Sequence, residues 1–298
     1  MSMEIRACQP DELDRLISVL DEEFIFGKGR TISLRRRFPA VYCRSNLHNI
    51  LLCMGGKEIA SALAVRTFDW REGDRIFRGA MIGAVYTHPA QRGEGSASRL
   101  LTEAEIRLRE AQADFAVLWT ERQSFYTRLG WVAADYSVLG QFAPNEFTPQ
   151  LSSNVTRLAV EANELRINRI RHSRLSTTTL RHPDDCRQMP VPAESMHLLW
   201  CENQGKVAYA LLGNCGTTAF LYELIGDTDC FPALWEEACR DCQKIFINDQ
   251  AGSLSCRWLT DHTGVSWENK NLAMWLPLSK RVNMPRIRQW HIPYFDRI

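Results

Sequence analysis

The stretch THPAQRGEGSASRLL, residues 87–101, decides how this chain is read. It follows the apolar run RIFRGAMIGAVY (residues 75–86) and leads into a stripe of Ala97, Leu100, Leu101, Ala104 and Leu108. That stripe has the three-and-four spacing of an amphipathic helix. Two glycines beside an arginine are costly places to start a helix unless bare backbone is needed there. Gly93 and Gly95 flank Glu94 behind Arg92, and Ser96 and Ala97 open the helix. The first amides of a helix lack intrahelical partners and carry the positive end of its dipole, so such a loop can form an anion-binding cup. A diphosphate, a single phosphate, or a helix cap that holds nothing are all compatible with these residues. A P-loop would need a Gly-Lys-Ser/Thr run, and no lysine stands here. A dinucleotide fingerprint would need a third glycine and a parallel βαβ unit, so both readings are weak.

Working outward, MEIRAC (residues 3–8) reads as a strand, and Pro10 and Asp11 open a helix with Leu13, Leu16, Ile17, Leu20 and Phe24 on one face. A second helical piece, TISLRRRFPAVY, ends near Pro39. Residues 49–68 read as a hairpin around Gly55 and Gly56. After the loop and its helix come a buried strand, DFAVLWT, a short helix, RQSFYTRL, and a closing strand or pair, GWVAADYSVLGQF. The order implies an α+β domain, a mixed, mostly antiparallel sheet flanked by helices.

The downstream segment SFYTRLGW supplies a second motif. With VYTHPAQRGEGSASRLL it resembles the GNAT acetyltransferase superfamily, whose coenzyme A pyrophosphate loop reads Gln/Arg-x-x-Gly-x-Gly/Ala. Arg92, Gly95 and Ala97 take its three defined positions, and Tyr126, Gly130 and Trp131 match the family's Tyr-x-x-x-Gly-aromatic segment. The resemblance covers Met3 to about Gln141. It implies a GNAT fold, acetyl-CoA as co-substrate, and no metal. It also implies a cofactor site of Val85, Tyr86 and Thr87 on the strand with Arg92, Gly93, Glu94, Gly95, Ser96 and Ala97 in the loop. By the same resemblance the Val85 amide faces the developing oxyanion, a splay or bulge after Thr87 frees amides for the pantetheine arm, and Tyr126 returns a proton to the departing thiolate. For the base the sequence offers His88, Glu121, Asp69 and Glu72, each with an equally ordinary structural role, or a water.

The second half partly echoes the first. LLWCENQGKVAYALLG (residues 198–213) resembles LLCMGGKEIASALAV (residues 51–65): an apolar strand, a turn with Gly and Lys, and a strand. Pro, Asn and Ser crowd residues 142–154. We therefore expect a catalytic GNAT domain over 1–141, a linker over 142–154, and a degenerate GNAT-like domain over 155–298. That domain should bind no coenzyme, because Asp227 and Asp229 stand where a phosphate loop needs donors and a cation. It would wall the substrate cleft or support a dimer. Its six tryptophans (Trp200, Trp235, Trp258, Trp267, Trp275 and Trp290) are expected mostly in core, and SKRVNMPRIRQW (residues 279–290) as a solvated basic face. The tandem arrangement is similar to bacterial two-domain proteins of the enhanced intracellular survival family. In that family a third, sterol-carrier-like domain follows and the terminal carboxylate takes part in catalysis. The expectation from 298 residues is that no full third domain follows, so only the acetyl-CoA chemistry is carried over.

Composition reads as an ordinary soluble globular protein: 45% hydrophobic, 24% charged, and 36 Lys plus Arg against 35 Asp plus Glu. A net charge of +1 gives no electrostatic footprint for nucleic acid or an anionic membrane. The N-terminal residues read as a charged helical pattern rather than a signal peptide, so a cytoplasmic location is expected. Ten scattered cysteines are read as reduced thiols, and the CRDC pair (Cys239 and Cys242) as helical rather than zinc-binding. The sequence thus points to transfer of an acetyl group from acetyl-CoA to a primary amine of a small molecule or peptide, by direct attack in a ternary complex. The alternatives are a non-catalytic acyl-CoA-binding regulator and a longer acyl donor such as succinyl-CoA. A homo-oligomer is compatible with the sequence.

Overall fold

The computed structural model describes residues 3–144, 154–181, 193–240 and 242–298. Its elements in chain order are β1 (Met3–Ala7), α1 (Leu13–Phe24), α2 (Leu34–Arg37), β2 (Ile50–Gly55), β3 (Glu58–Glu72), β4 (Arg75–Thr87), α3 (Ser96–Glu110), β5 (Phe115–Trp119), α4 (Gln123–Thr127), β6 (Val132–Ala133) and β7 (Ser137–Phe142). They continue with β8 (Val155–Leu158), α5 (Glu164–Arg174), β9 (Thr177–Leu180), β10 (Ser195–Asn203), β11 (Lys206–Cys215), β12 (Thr218–Gly226), α6 (Phe231–Cys239), β13 (Lys244–Gln250), α7 (Leu254–His262), β14 (Ser266–Asn269), β15 (Ala273–Pro277) and α8 (Met284–Ile287).

Period-two alternation along β2 buries both faces of the first sheet. Leu51 and Cys53 join the cluster under α3, with Leu100, Leu101 and Ala104, while Ile50, Leu52 and Met54 join the cluster under α1, with Leu16 and Leu20. The expected helix stripes are therefore the faces that pack. The first sheet runs β1-β2-β3-β4-β5-β15-β6, with β9 added along the far end of β3, and the second runs β14-β7-β13-β12-β11-β10-β8. Among the described residues, strands pair in parallel only at β4/β5 and β12/β13. The echo seen in the sequence is thus a repeat of architecture, hairpin for hairpin, and the fold is α+β with two units of like topology.

Sheet membership does not follow chain order. The run GWVAADYSVLGQF, read as one closing strand or pair, divides: β6 stays on the first sheet, while β7 pairs with β13 and β14 of the second. In return β15 lies between β5 and β6 of the first sheet, with Trp275 opposite Val117. Each unit completes the other. The expected linker over 142–154 lies mostly outside the described residues, which stop at 144 and resume at 154.

The exchange refines one reading of the second half and corrects another. Trp275 and Trp290 are core residues of the first sheet, where Trp290 packs 4.9 Å from Phe115, 5.4 Å from Phe77 and 5.5 Å from Trp70, ring centre to ring centre. The stretch 279–290 is not simply a solvated basic face. Arg281 pairs with Asp114 at 2.9 Å and Arg286 with Glu72 at 3.0 Å, and both guanidiniums lie over the Phe77 ring. Following β15 onto the first sheet brings these cations to that sheet's carboxylates. Among the described residues no helix is long and apolar enough to cross a membrane.

Candidate active site

β4 and β5 pair only from Gly79 to Met81 opposite Phe115 to Val117, and the two strands then part. The expected splay after Thr87 therefore begins earlier. On its other side β4 carries an irregularity: Ala62 faces Tyr86 and Ala64 faces Gly83, so Ala84 and Val85 have no register partners. Ala84 holds φ at 48°, a left-handed conformation that a non-glycine residue adopts only under local compulsion. Val85 packs against the same apolar cluster that contains Tyr126. Tyr86 turns its ring into the opposite core, at 5% exposure, and offers the slot only its backbone. Its carbonyl accepts the Ser61 hydroxyl at 2.5 Å, and the Thr87 carbonyl accepts Arg92 Nε at 3.3 Å.

The loop beyond β4 has the features of an anion cup. Gly93 and Gly95 adopt φ of 91° and 79°, with open space where a Cβ would stand on either. Gly95 caps α3 with no side-chain acceptor, so the first-turn amides keep no such partner. Two buried polar atoms in this region have no partner, one on the first turn of α3 and one on the Gln91 side chain, which lies beside Gly55. Ser96 Oγ is buried and unbonded, its residue 1% exposed, and Gln91 Oε1 is likewise buried without a partner. Arg92 sits at the rim, its guanidinium held by Glu23 at 3.0 Å. A positive dipole end, bare glycine backbone and an unsatisfied hydroxyl fit a phosphate-bearing ligand.

Tyr126 is on α4, stacked edge-on against Phe125 and Trp131 at 4.9 and 6.2 Å. Burial pushes its phenol up to about 12, with Arg122 opposing. Its proton therefore stays in place at neutral pH. No hydrogen bond joins its hydroxyl to another described residue.

The suggested bases do not gather there. His88 is exposed and uses Nδ1 to accept the Ala90 amide at 3.3 Å, capping the turn 89–91. Glu72 takes the Trp290 indole at 2.9 Å and Arg286. Glu121 is exposed, and Asp69 faces Arg78 across the β3–β4 ladder. The sequence reading set the far end of the chain aside, yet the main chain of Ile298 packs against the bulge, its carbonyl carbon and oxygen 3.2 and 3.3 Å from where a Gly83 Cβ would stand. No local signal marks that contact, which joins residues distant in sequence.

In the second unit Asp227 and Asp229, expected to repel a phosphate, are both engaged. Asp227 binds Arg174 at 2.7 Å and the Val207 amide at 2.9 Å, and Asp229 pairs with Lys206. Among the described residues no cluster suited to a metal ion occurs, and Cys242 Sγ donates to the Ala238 carbonyl at 3.3 Å.

Residues 4–134 match the family model described as acetyltransferase (GNAT) domain. The match falls on the first unit, residues 4–134 of 298. The structure is similar over the whole chain to a probable N-acyltransferase from Enterococcus faecalis V583, at TM-score 0.74 and 14% identity, covering 94% of this chain and 73% of that one. Eis1 from Mycobacterium abscessus matches at TM-score 0.61 and 12% identity, covering 93% and 74%. A tandem GNAT protein from the clavulanic acid biosynthesis pathway matches at 0.59 and 9%, covering 93% and 99%. Identities this low show the shared two-unit fold. No curated protein sequence matches the chain.

Proposed function

We propose that the GNAT domain transfers an acetyl group from acetyl-CoA to a primary amine of a small molecule or peptide, by direct attack in a ternary complex. The observation that carries this reading is the uncapped α3 N-terminus, with its two positive-φ glycines and orphaned Ser96 hydroxyl, standing where β4 has parted from β5. The residues from Arg92 to Ala97 would hold the pyrophosphate, and the unpaired edge from Val85 to Thr87 would hold the pantetheine arm. Acetyl-CoA, when bound, supplies an activated acyl group. The chain's part is to place it, to offer the Val85 amide to the oxygen that gains charge, and to deliver the Tyr126 proton toward the leaving sulfur. Water or the incoming amine's own solvent shell takes the amine's proton, since His88 and Glu72 are committed elsewhere.

That commitment also favours a second reading, an acyl-CoA-binding regulator without turnover. Calorimetry with acetyl-CoA, followed by detection of free thiol with a panel of amines and peptides, separates the readings. Binding with thiol release supports transfer. Binding without release across the panel supports the regulator, and no heat at all overturns both.

A further inference from the structure

The segment 294–298 is tied at every residue, and the ties come from both units. Asp296 is 3% exposed, and its carboxylate accepts Arg181 Nε at 2.7 Å, Arg181 Nη2 at 3.1 Å, Thr179 Oγ1 at 2.5 Å and Arg171 Nη2 at 3.4 Å. The same two guanidiniums reach Glu223, which also accepts the Tyr209 hydroxyl at 2.7 Å. Two cations and two anions thus close a neutral, buried ring between β12 of the second sheet and the end of β9, which pairs with β3 of the first. From the GNAT sheet, Arg66 Nη1 donates to the Asp296 carbonyl at 3.0 Å. Arg297 turns the other way, to Asn248 Oδ1 at 2.9 Å and Ser137 Oγ at 3.1 Å, with its guanidinium over the Trp119 ring at 4.8 Å. Tyr294 stacks on Tyr222 at 5.9 Å and 1°. Two residues beyond the ring, Ile298 meets Gly83 at the bulge.

We infer that Asp296 is a positioning residue, through which the buried ion ring joining the two sheets sets the wall of the acceptor side at the Gly83–Val85 bulge. Buried ion pairs are poor sources of net stability, and an apolar core of equal volume would serve folding as well. What the ring adds is direction. Its hydrogen bonds fix the register of one short segment, and from Asp296 to Ile298 the chain spans at most ~7 Å. A shift at Asp296 is therefore delivered almost whole to the residue beside the bulge. This gives the second unit, which has no coenzyme loop of its own, a part in the reaction: it holds the surface that an amine must pass to reach Val85. The inference rests on the acetyl-transfer reading of that bulge.

Asp296→Asn, Asp296→Glu and Thr179→Val, with Leu234→Ala in the second unit's core as a stability control, test it on the full chain. Amide exchange over residues 82–86, the acetyl-CoA dissociation constant, and kcat and KM for a transferring amine are read for each. The Asp296 variants should raise exchange at 82–86 at least tenfold and lower kcat/KM for the amine at least tenfold, with the acetyl-CoA constant unchanged within twofold. Asp296→Glu keeps the charge and should show the split with little loss of Tm, and Thr179→Val should show a smaller version. Leu234→Ala should lower Tm without the split. Unchanged exchange at 82–86 in any folded Asp296 variant overturns the inference, as does the same kinetic split in Leu234→Ala. Should Asp296→Asn not fold, Asp296→Glu and Thr179→Val decide. If the wild type neither binds acetyl-CoA nor releases thiol, the transfer reading fails, while the exchange comparison still decides whether Asp296 positions the bulge.

Discussion

Gly95 holds φ at 79° at the mouth of α3, with nothing within 4 Å of where a Cβ would stand. Replacement by valine meets no clash in the folded chain. It imposes left-handed strain of about 1–2 kcal/mol and places two methyl groups where a phosphate would approach bare amides. Gly95→Val should therefore weaken acetyl-CoA at least tenfold by calorimetry while lowering Tm by only a few degrees. Tyr126 tests the other end of the slot. Its hydroxyl is unbonded among the described residues and titrates at about 12, so it keeps its proton throughout the neutral range. Tyr126→Phe should leave Tm and acetyl-CoA affinity unchanged within error and lower kcat by about 10²–10⁴, the range of a lost proton-transfer group. An undiminished kcat would remove Tyr126 from the mechanism. Both residues were readable because their signals are local: a glycine pair before a helical stripe, and a tyrosine four residues before a glycine. The bulge at Ala84 was not, since nothing in GAVYT distinguishes a strained strand from a regular one.

At the scale of elements, the exchange of β7 and β15 dominates. β5 is a continuous apolar run, FAVLW, and such a strand is stable only with neighbours on both edges and cover on both faces. β4 serves one edge along three residues, and β15 serves the other along all five. A fragment ending at residue 141 would leave the β5 edge open and β7 without its sheet. It should be insoluble or molten when produced alone, and coproduction with a fragment beginning at residue 154 should recover a soluble complex in size-exclusion chromatography. Trp275→Ala should cost about 3–5 kcal/mol, since the ring is 1% exposed and packs on Phe115 and Trp290. Because β15 belongs to the first sheet and β14, just before it, to the second, calorimetry of that variant should show one lowered transition for both units rather than two. A soluble, acetyl-CoA-binding fragment of residues 1–141 would contradict this account.

For the whole molecule, the buried ring makes stability depend on acid. Burial alone would push the Asp296 and Glu223 carboxyls up, but Arg171 and Arg181 outweigh it and hold both below the usual carboxylate range. A carboxyl depressed by folding stabilises the native state at any pH above its unfolded value near ~4, and loses that contribution as pH falls through the folded value. Tm should therefore be level from about pH 5 to 7 and fall steeply below about pH 4. Arg181→Met, which strands two buried carboxylates beside one cation, should cost about 3–5 kcal/mol at neutral pH and flatten the acid limb.

The sequence by itself determined the local parts. Period-two runs made the strands, three-and-four stripes made the helices, and Arg92 to Ala97 made a glycine-lined helix start, because each depends on side chains within a few positions of one another. It also showed that one hairpin occurs twice. Only the tertiary structure decided which sheet β7 and β15 enter, where β4 leaves its neighbour, and that Asp296 and Ile298 meet Arg66 and Gly83. All of these but the parting of β4 from β5 join residues more than a hundred positions apart. Their energies come from edges left open, rings left uncovered and charges left unpaired elsewhere in the fold, quantities that no window of the chain contains.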